Sequence, residues 1–313
     1  MKTTKLRRVL LGFDGSARGV DGLYLARAIA QAGQAELLVA CVYEPESIFD
    51  AGDRYLSPVD EKRARAKREA EMRLRFSQVE DELGSRRYGR HELWGSPARE
   101  LTLLAEDADV DVVVVGSTHQ GALGRVFPGS VGEKLLHGAP CAVAVAPVDF
   151  AETDHFGSGP IGVGYTGSPE SRDALSWAES LARQLGSGLR VITAIREFNP
   201  AHRPGLVGAP DYRRFVRDDV AKAQAAAAEE IKDIEVKRVI VDGDPAEVLA
   251  QQGVELDLLV VGSRGYGPLR RALLGGVSGR VVHSAPCPVV VTSRSAQREP
   301  GEGEHPHYVA AEI

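Results

Sequence analysis

Cysteine is scarce in this sequence of 313 residues. The three cysteines, Cys41, Cys141 and Cys287, lie far apart and form neither CxxC pairs nor a pattern with paired histidines. Three widely spaced cysteines without these patterns indicate neither a disulfide framework nor a structural zinc site. We expect the three thiols to be buried as small hydrophobic side chains.

Long apolar runs and an excess of positive charge are also missing. No run approaches the roughly 18 to 20 apolar residues of a membrane span, and Met1 to Arg8 leads into a strand-like segment and not into a signal-peptide core. Lys and Arg number 38 against 44 Asp and Glu, which gives a net charge of −6 and no general attraction to nucleic acid or anionic lipid. The sequence predicts a cytoplasmic protein that binds neither nucleic acid nor membranes.

The common catalytic motifs are absent too. The sequence has no GxxxxGK[ST] phosphate loop, no GxSxG nucleophile elbow and no HExxH metal pair. Asp14 and Ser16 lie close together, but no histidine is placed by pattern to complete a nucleophile system. We therefore expect no catalytic residues, no metal site and no enzyme activity.

What the sequence does contain is a repeat of itself. Residues 111–147 align without gaps on residues 257–293, and 16 of the 37 positions are identical. Residues 12–16 (GFDGS) likewise align on residues 164–168 (GYTGS). This repetition predicts two homologous domains at 1–149 and 158–294, joined by a linker at 150–157. A disordered tail is predicted over 295–313, where Pro300 and Pro306 interrupt any regular element.

Short apolar runs alternate with longer amphipathic segments in each repeat. In the first, we predict strands at about 9–13, 36–43, 88–94, 112–116 and 141–146, with helices at about 17–32, 58–83, 97–107 and 130–137. This alternation is typical of α/β domains in which helices cover both faces of a parallel sheet.

Ligands of such sheets bind outside the carboxyl ends of the strands. Asp14, Val42 and Gly116 follow or close three strands of the first repeat, so they should meet at one crevice. The glycine-rich loop after Gly116 ends at Gly129 and Ser130, where a helix begins, and free amides at a helix start favour a phosphate.

Two of these residues have alternative interpretations. Asp14 could accept hydrogen bonds from a ribose or a base, or it could cap the helix that starts near Ser16. Ser130 could cap its own helix or contact phosphate.

With these motifs in place, both halves resemble universal stress protein domains over nearly the whole chain. The resemblance implies two Rossmann-like domains of the HUP type, each with a five-stranded parallel sheet of order 3-2-1-4-5 flanked by helices. It also implies an adenine nucleotide as ligand: ATP, alone or with Mg²⁺. The ATP-binding subset of the family carries the motif G-x2-G-x9-G-[ST].

Each repeat departs once from that motif. In the first, His119 replaces the second glycine, and it could donate to phosphate, cover the pocket or be a tolerated loop substitution. In the second, Gly276 stands where Ser or Thr is expected, and Ser278 could partly compensate. Thr166 also replaces Asp14 and removes its carboxylate.

By similarity to the family, ligand contacts are expected in both repeats. Those of the first are Gly12, Asp14, the Val42 backbone against adenine, Gly116, His119, Gly129, Ser130 and Val131. Those of the second are Gly262, Arg264, Gly265, Gly275, Gly276, Val277 and Ser278. Arg264 is a phosphate candidate, with a solvated loop arginine as the alternative.

The resemblance also implies an assembly. Single domains of this family commonly pair through their last strands, so Cys141 to Val145 should pair antiparallel with Cys287 to Val291 as an intrachain pseudo-dimer. A homodimer of tandem chains is a further option. His137 and His283 recur at a helix end away from the crevice, where a structural role is expected.

The leading hypothesis is an ATP-binding regulatory protein of the stress response, in which the nucleotide sets conformation or partner choice. One alternative is an interaction protein whose pockets have lost nucleotide binding, and another is a weak ATPase. Because no residue is identified that would position water, any hydrolysis should be slow.

Overall fold

The computed structural model describes residues 6–44, 58–118, 126–153, 156–196, 209–263 and 275–292. The tail at 295–313 and the candidate residues His119, Arg264 and Gly265 lie outside this part of the chain.

The first repeat alternates strands and helices. Its elements are β1 (Arg8–Gly12), α1 (Ala17–Gly33), β2 (Glu36–Tyr43), α2 (Pro58–Leu83), β3 (Gly89–Trp94), α3 (Pro97–Asp107), β4 (Val112–Gly116), α4 (Gly129–Gly138) and β5 (Ala142–Ala146). Strand β4, which lies between helices on both faces of the sheet, has four buried valines in a row, as expected for a parallel strand covered on both sides.

The second repeat has the same order of elements. They are β6 (Ile161–Gly164), α5 (Pro169–Leu185), β7 (Leu189–Ile195), α6 (Ala209–Glu229), β8 (Val236–Asp242), α7 (Pro245–Gln252), β9 (Leu258–Gly262), α8 (Gly276–Val282) and β10 (Val289–Thr292). Between the repeats, Phe150–Glu152 form a turn of 3-10 helix with Phe150 buried.

The ten strands of the described residues form one sheet of order β3-β2-β1-β4-β5-β10-β9-β6-β7-β8. Each half is parallel and has the expected order 3-2-1-4-5. The halves meet where β5 and β10 pair antiparallel, with Val143 opposite Val291 and Val145 opposite Val289. The α/β class and the pairing of the last strands are therefore confirmed.

Helices cover both faces of the sheet. One apolar cluster lies between the sheet and α1, α2, α5 and α6, and a second lies between the sheet and α3, α4, α7 and α8. The outer strands β3 and β8 carry exposed charged residues such as Arg90, Glu92 and Lys237. Charges on edge strands disfavour pairing with further chains.

Candidate nucleotide-binding site

A cavity of about 290 Å³ lies at the carboxyl ends of β1, β2 and β4. All seven candidate residues of the first repeat that the structure describes line it: Gly12, Asp14, Val42, Gly116, Gly129, Ser130 and Val131. The apolar side chains of Ala40, Leu101 and Val115 complete one wall. The structure therefore brings together residues that are more than 100 positions apart in the sequence.

Asp14 stands at one side of this cavity. Its Oδ1 accepts hydrogen bonds from the Ser16 amide at 2.9 Å and the Ser16 hydroxyl at 2.7 Å. Ser16, and not Asp14, is the N-cap of α1, since its Oγ accepts from the Gly19 amide at 3.0 Å. The capping role considered for Asp14 therefore belongs to Ser16, and the exposed Asp14 carboxylate is fixed beside the cavity.

The opposite side is the start of α4. Gly129 has φ +63°, which favours glycine, and a Cβ there would come within 2.0 Å of Thr118 Cγ2. The N-cap residue Pro128 makes no side-chain capping hydrogen bond, and Ser130 is exposed in the first turn of the helix. The amides of this turn are therefore not engaged by the N-cap side chain, a condition that favours an anion.

A small network holds the segment before α4. The buried Ser117 hydroxyl donates to the Ala146 carbonyl at 2.6 Å and accepts from the Phe127 amide at 3.0 Å. The Thr118 amide donates to the Phe127 carbonyl at 2.8 Å. Sequence reasoning did not single out Ser117, although it recurs as Ser263 in the second repeat.

Arg18 also lines the cavity and was not anticipated. Its Nη1 donates to Asp21 at 3.0 Å and to Asp149 at 2.8 Å. The hydrogen bond that Arg18 donates to Asp149 is the largest cause of a raised Arg18 pKa, so the guanidinium stays charged. The buried Asp21 also accepts from the amides of Asp149 and Ala151, which holds the 3-10 turn against α1.

Val42 contributes a buried side chain to the cavity wall. Its carbonyl accepts a hydrogen bond from Nη1 of Arg75 at 3.0 Å. Arg75 lies on α2 and forms an ion pair with Glu71 one turn earlier. The backbone of Val42 is expected to lie against adenine, and one lone pair of its carbonyl is engaged within the protein.

The second repeat has an equivalent cavity of about 890 Å³. The candidates Gly262, Gly275, Val277 and Ser278 line it, and Gly276 is the first residue of α8. The side chains at its mouth differ from those of the first domain. Thr166 replaces Asp14, and Glu170 stands where Arg18 stands in the first repeat.

Ser278 is engaged by its own helix. Its hydroxyl accepts from the Gly275 amide at 3.0 Å and donates to the Gly275 carbonyl at 3.2 Å, and the residue is buried. The amide at this helix start is thus satisfied internally. The idea that Ser278 compensates for Gly276 as a ligand contact is not supported by this geometry.

His283 is at the C-cap of α8 and faces the first domain. Its ring centroid lies 4.9 Å from that of Phe127 at an interplanar angle of 62°. A structural role was expected here, but the contact across the domain boundary was not. His137, at the equivalent position of the first repeat, is exposed.

The described residues contain no group of three or more His, Cys, Asp or Glu side chains that could hold a metal ion. Cys41, Cys141 and Cys287 are free and buried, as expected. In the same part of the chain, no helix has both the length and the apolar character needed to span a bilayer.

Comparison with known proteins gives a consistent result. The model of the universal stress protein family matches residues 5–147 and again residues 158–293. A universal stress protein of Mycobacterium tuberculosis is 35% identical over 197 residues, which cover 62% of this chain and 65% of that relative. The chain therefore spans less than two thirds of that relative in the alignment.

Two further matches extend over nearly the full chain. Another universal stress protein of Mycobacterium tuberculosis is 26% identical over 299 residues, covering 90% of this chain and 98% of that protein. A solved universal stress protein from Archaeoglobus fulgidus is 21% identical with a TM-score of 0.58, and the match covers 93% of this chain and 100% of that chain. At this identity the solved structure supports the fold.

Proposed function

The chain belongs to the universal stress protein family, and from that premise we propose that the crevice of its first domain binds an adenine nucleotide. ATP, alone or with Mg²⁺, is the proposed ligand, and the protein acts as a nucleotide-responsive regulator of the stress response. The observation that carries this proposal is the cavity that sets Asp14 opposite the start of α4.

Each part of a nucleotide has a matching surface in this cavity. The buried side chains of Val42, Leu101 and Val115 offer an apolar wall for a base. The Asp14 carboxylate accepts hydrogen bonds from ribose hydroxyls. The first turn of α4 offers amides and the positive end of a helix dipole to phosphates.

The size of the cavity fits a small ligand. At about 290 Å³ it lies near the lower end of the roughly 300 to 1,000 Å³ that ligand pockets occupy. We propose that base and ribose are enclosed there and that the phosphates run along the start of α4.

We further propose that the second crevice binds the same ligand more weakly. It lacks the carboxylate of Asp14, it holds Glu170 in place of a guanidinium, and its helix start is capped by Ser278. A carboxylate near the phosphate path repels an anion. The expected stoichiometry is therefore close to one nucleotide per chain.

The proposed role is regulation without turnover. Catalysis of ATP hydrolysis requires a group that positions or activates water, and the sequence motifs identify no such group. Phosphate release from ATP should therefore stay at background. Release that rises linearly with protein and is lost in an Asp14→Ala and Gly129→Val double variant would establish an ATPase.

The test of binding is calorimetric titration of nucleotide-stripped protein with ATP and Mg²⁺. We expect binding near one site per chain and an Asp14→Asn variant that is weakened by about tenfold or more, because hydrogen bonds to a charged acceptor are lost. Thr166→Val, at the matched position of the second domain, serves as the control and should bind like the parent protein.

Absence of detectable heat, together with no thermal stabilisation at high ATP, would contradict the proposal. The protein would then be better described as an interaction protein with degenerate pockets. Equal losses in Asp14→Asn and Thr166→Val would instead show that both crevices contribute.

A further inference from the structure

The segment 126–127, which leads into α4 beside the first crevice, also contacts the second domain. The Val126 amide donates to the Ala285 carbonyl at 3.0 Å, and the Val126 side chain is completely buried. Phe127, the next residue, packs edge-on against the ring of His283. The segment before the predicted phosphate site is thus attached to both domains.

His283 makes a second approach to the same region. Its Nε2 lies 3.8 Å from Oε1 of Glu133, in the second turn of α4. Phe127 and Glu133 flank the stretch from Pro128 to Gly132, all of which lines the first cavity. One side chain of the second domain therefore contacts residues on both sides of the ligand-binding turn.

The contact at Phe127 reaches the cavity through the main chain. The Phe127 amide and carbonyl bond to Ser117 and Thr118, and both of these residues line the cavity. A shift of Phe127 would therefore move the Thr118 side of the cavity and the start of α4 together. Because packed interiors deform little, such a shift would be transmitted to Gly129.

The two repeats differ at these positions. The counterparts of Phe127 and Glu133 in the second repeat are Leu273 and Gly279, so the aromatic ring and the carboxylate occur in the first repeat alone. The histidine itself occurs in both. The pair of groups that His283 meets is therefore specific to the crevice that retains Asp14.

We infer that His283 of the second domain is a positioning residue for the phosphate-binding turn 128–132 of the first domain. Docking of the second domain then raises the nucleotide affinity of the first crevice, and a nucleotide bound in that crevice strengthens the docking by the same factor. This inference rests on the proposed function for its ligand, but the positioning itself is independent of any ligand.

Hydrogen exchange of the ligand-free protein tests the positioning directly. In His283→Ala we expect amides 126–132 to exchange faster by about threefold or more, because local opening becomes easier. His137→Ala, the matched exposed histidine of the first repeat, should leave those amides unchanged. Phe127→Leu is a second test in case His283→Ala folds poorly. It introduces the residue of the second repeat, retains apolar bulk and should give the same faster exchange.

Calorimetric titration with ATP tests the consequence for binding. His283→Ala should weaken ATP binding by about three- to tenfold, in line with the loss of one aromatic contact, whereas His137→Ala should bind ATP like the parent protein. His283→Phe should recover part of the loss, because it restores the ring contact with Phe127 without the approach to Glu133.

The outcomes separate this inference from the proposed function. Unchanged exchange at 126–132 in both His283→Ala and Phe127→Leu would overturn the positioning whether or not ATP binds. Faster exchange with unchanged ATP affinity would overturn the link to the ligand. Faster exchange in a protein whose parent form binds no ATP would support the positioning and contradict the proposed function.

Discussion

Gly116 lies directly beneath the carbonyl of Arg18, so that a Cβ built on Gly116 would come within 1.8 Å of the Arg18 oxygen. Helix α1 therefore crosses the carboxyl end of β4 so closely that position 116 has no room for any residue with a side chain. The same relationship recurs in the second domain, where a Cβ on Gly262 would lie 2.7 Å from the Glu170 oxygen. The first glycine of each loop motif is thus a packing residue as well as a wall of the crevice.

We predict that Gly116→Ala destabilises the protein by about 1–3 kcal/mol, because the backbone of α1 must move to accept the methyl group. Gly138→Ala is the control, since its Cβ would meet nothing within 4 Å. Urea unfolding monitored by circular dichroism measures both. A Gly116→Ala midpoint equal to that of Gly138→Ala would show that α1 adapts at no cost.

The general fold could be predicted from the sequence because its signals are local and repeated. Apolar runs at strand spacing and the duplicated HxAPCxVxV segment were sufficient for the strands, whereas the antiparallel pairing of the last strands was implied by the family resemblance. The strand order itself came from the family resemblance. Gly12, Gly116 and Gly129 line the first cavity, but sequence reasoning assigned Gly116 to the ligand alone and missed its contact with α1.

Contacts between distant side chains could not be predicted in the same way. Arg18 and Asp149 are separated by 131 positions, and only the packed structure shows that they meet. The contact between Phe127 and His283 likewise depends on how two domains dock. Such pairs leave no periodic signal in one sequence, because each partner is an ordinary polar or aromatic residue of its own segment.

The backbone at Gly129 yields a second prediction. Gly129→Ala should weaken ATP binding by about tenfold or more, because the positive φ and the 2.0 Å approach to Thr118 both oppose a Cβ. Gly138→Ala, at the other end of the same helix, meets nothing within 4 Å and should bind ATP normally. Equal affinity of the two variants in titration calorimetry would exclude the α4 turn as the phosphate site.

Asp21 yields a prediction about stability. Its buried carboxylate accepts from Arg18 and from the amides of Asp149 and Ala151. Asp21→Asn should lower the free energy of unfolding by about 2–4 kcal/mol, because a charged acceptor of three hydrogen bonds is lost in a buried position. Glu69→Gln, which breaks an exposed helical pair with Arg65, should have no measurable effect in the same denaturant titration.

The ion pair between Asp244, the N-cap residue of α7, and Arg280 of α8 should make the free energy of unfolding depend on pH. A hydrogen bond from Arg280 holds the pKa of Asp244 below its ordinary value. A lowered carboxyl pKa stabilises the folded state above the unfolded pKa, and this contribution disappears as pH falls through the folded pKa. Asp244→Asn, which retains a capping side chain for α7, should therefore be less stable than the parent at pH 7.

The stability difference between the parent protein and Asp244→Asn should shrink as the pH is lowered below about 4, where most of the unfolded Asp244 carboxyl is protonated. Thermal unfolding at several pH values measures it. A constant difference from pH 7 to pH 3 would mean that the charge of Asp244 is not the cause.

The three thiols give the last prediction, which concerns chemical reactivity. Burial raises the pKa of Cys41, Cys141 and Cys287 from 9.0 to about 12, so at pH 8 almost no thiolate is present in the folded protein. Because the thiolate is the reactive form, a disulfide reagent such as DTNB should modify native protein at least about 100-fold more slowly than denatured protein, which should release three equivalents. The native state retains these protons while unfolded thiols lose them above pH 9, so the thiols should also make stability fall as pH rises from 9 to 12. Rapid modification of one equivalent at pH 8, absent in Cys41→Ser, would show that β2 opens locally and that burial of this thiol is not maintained.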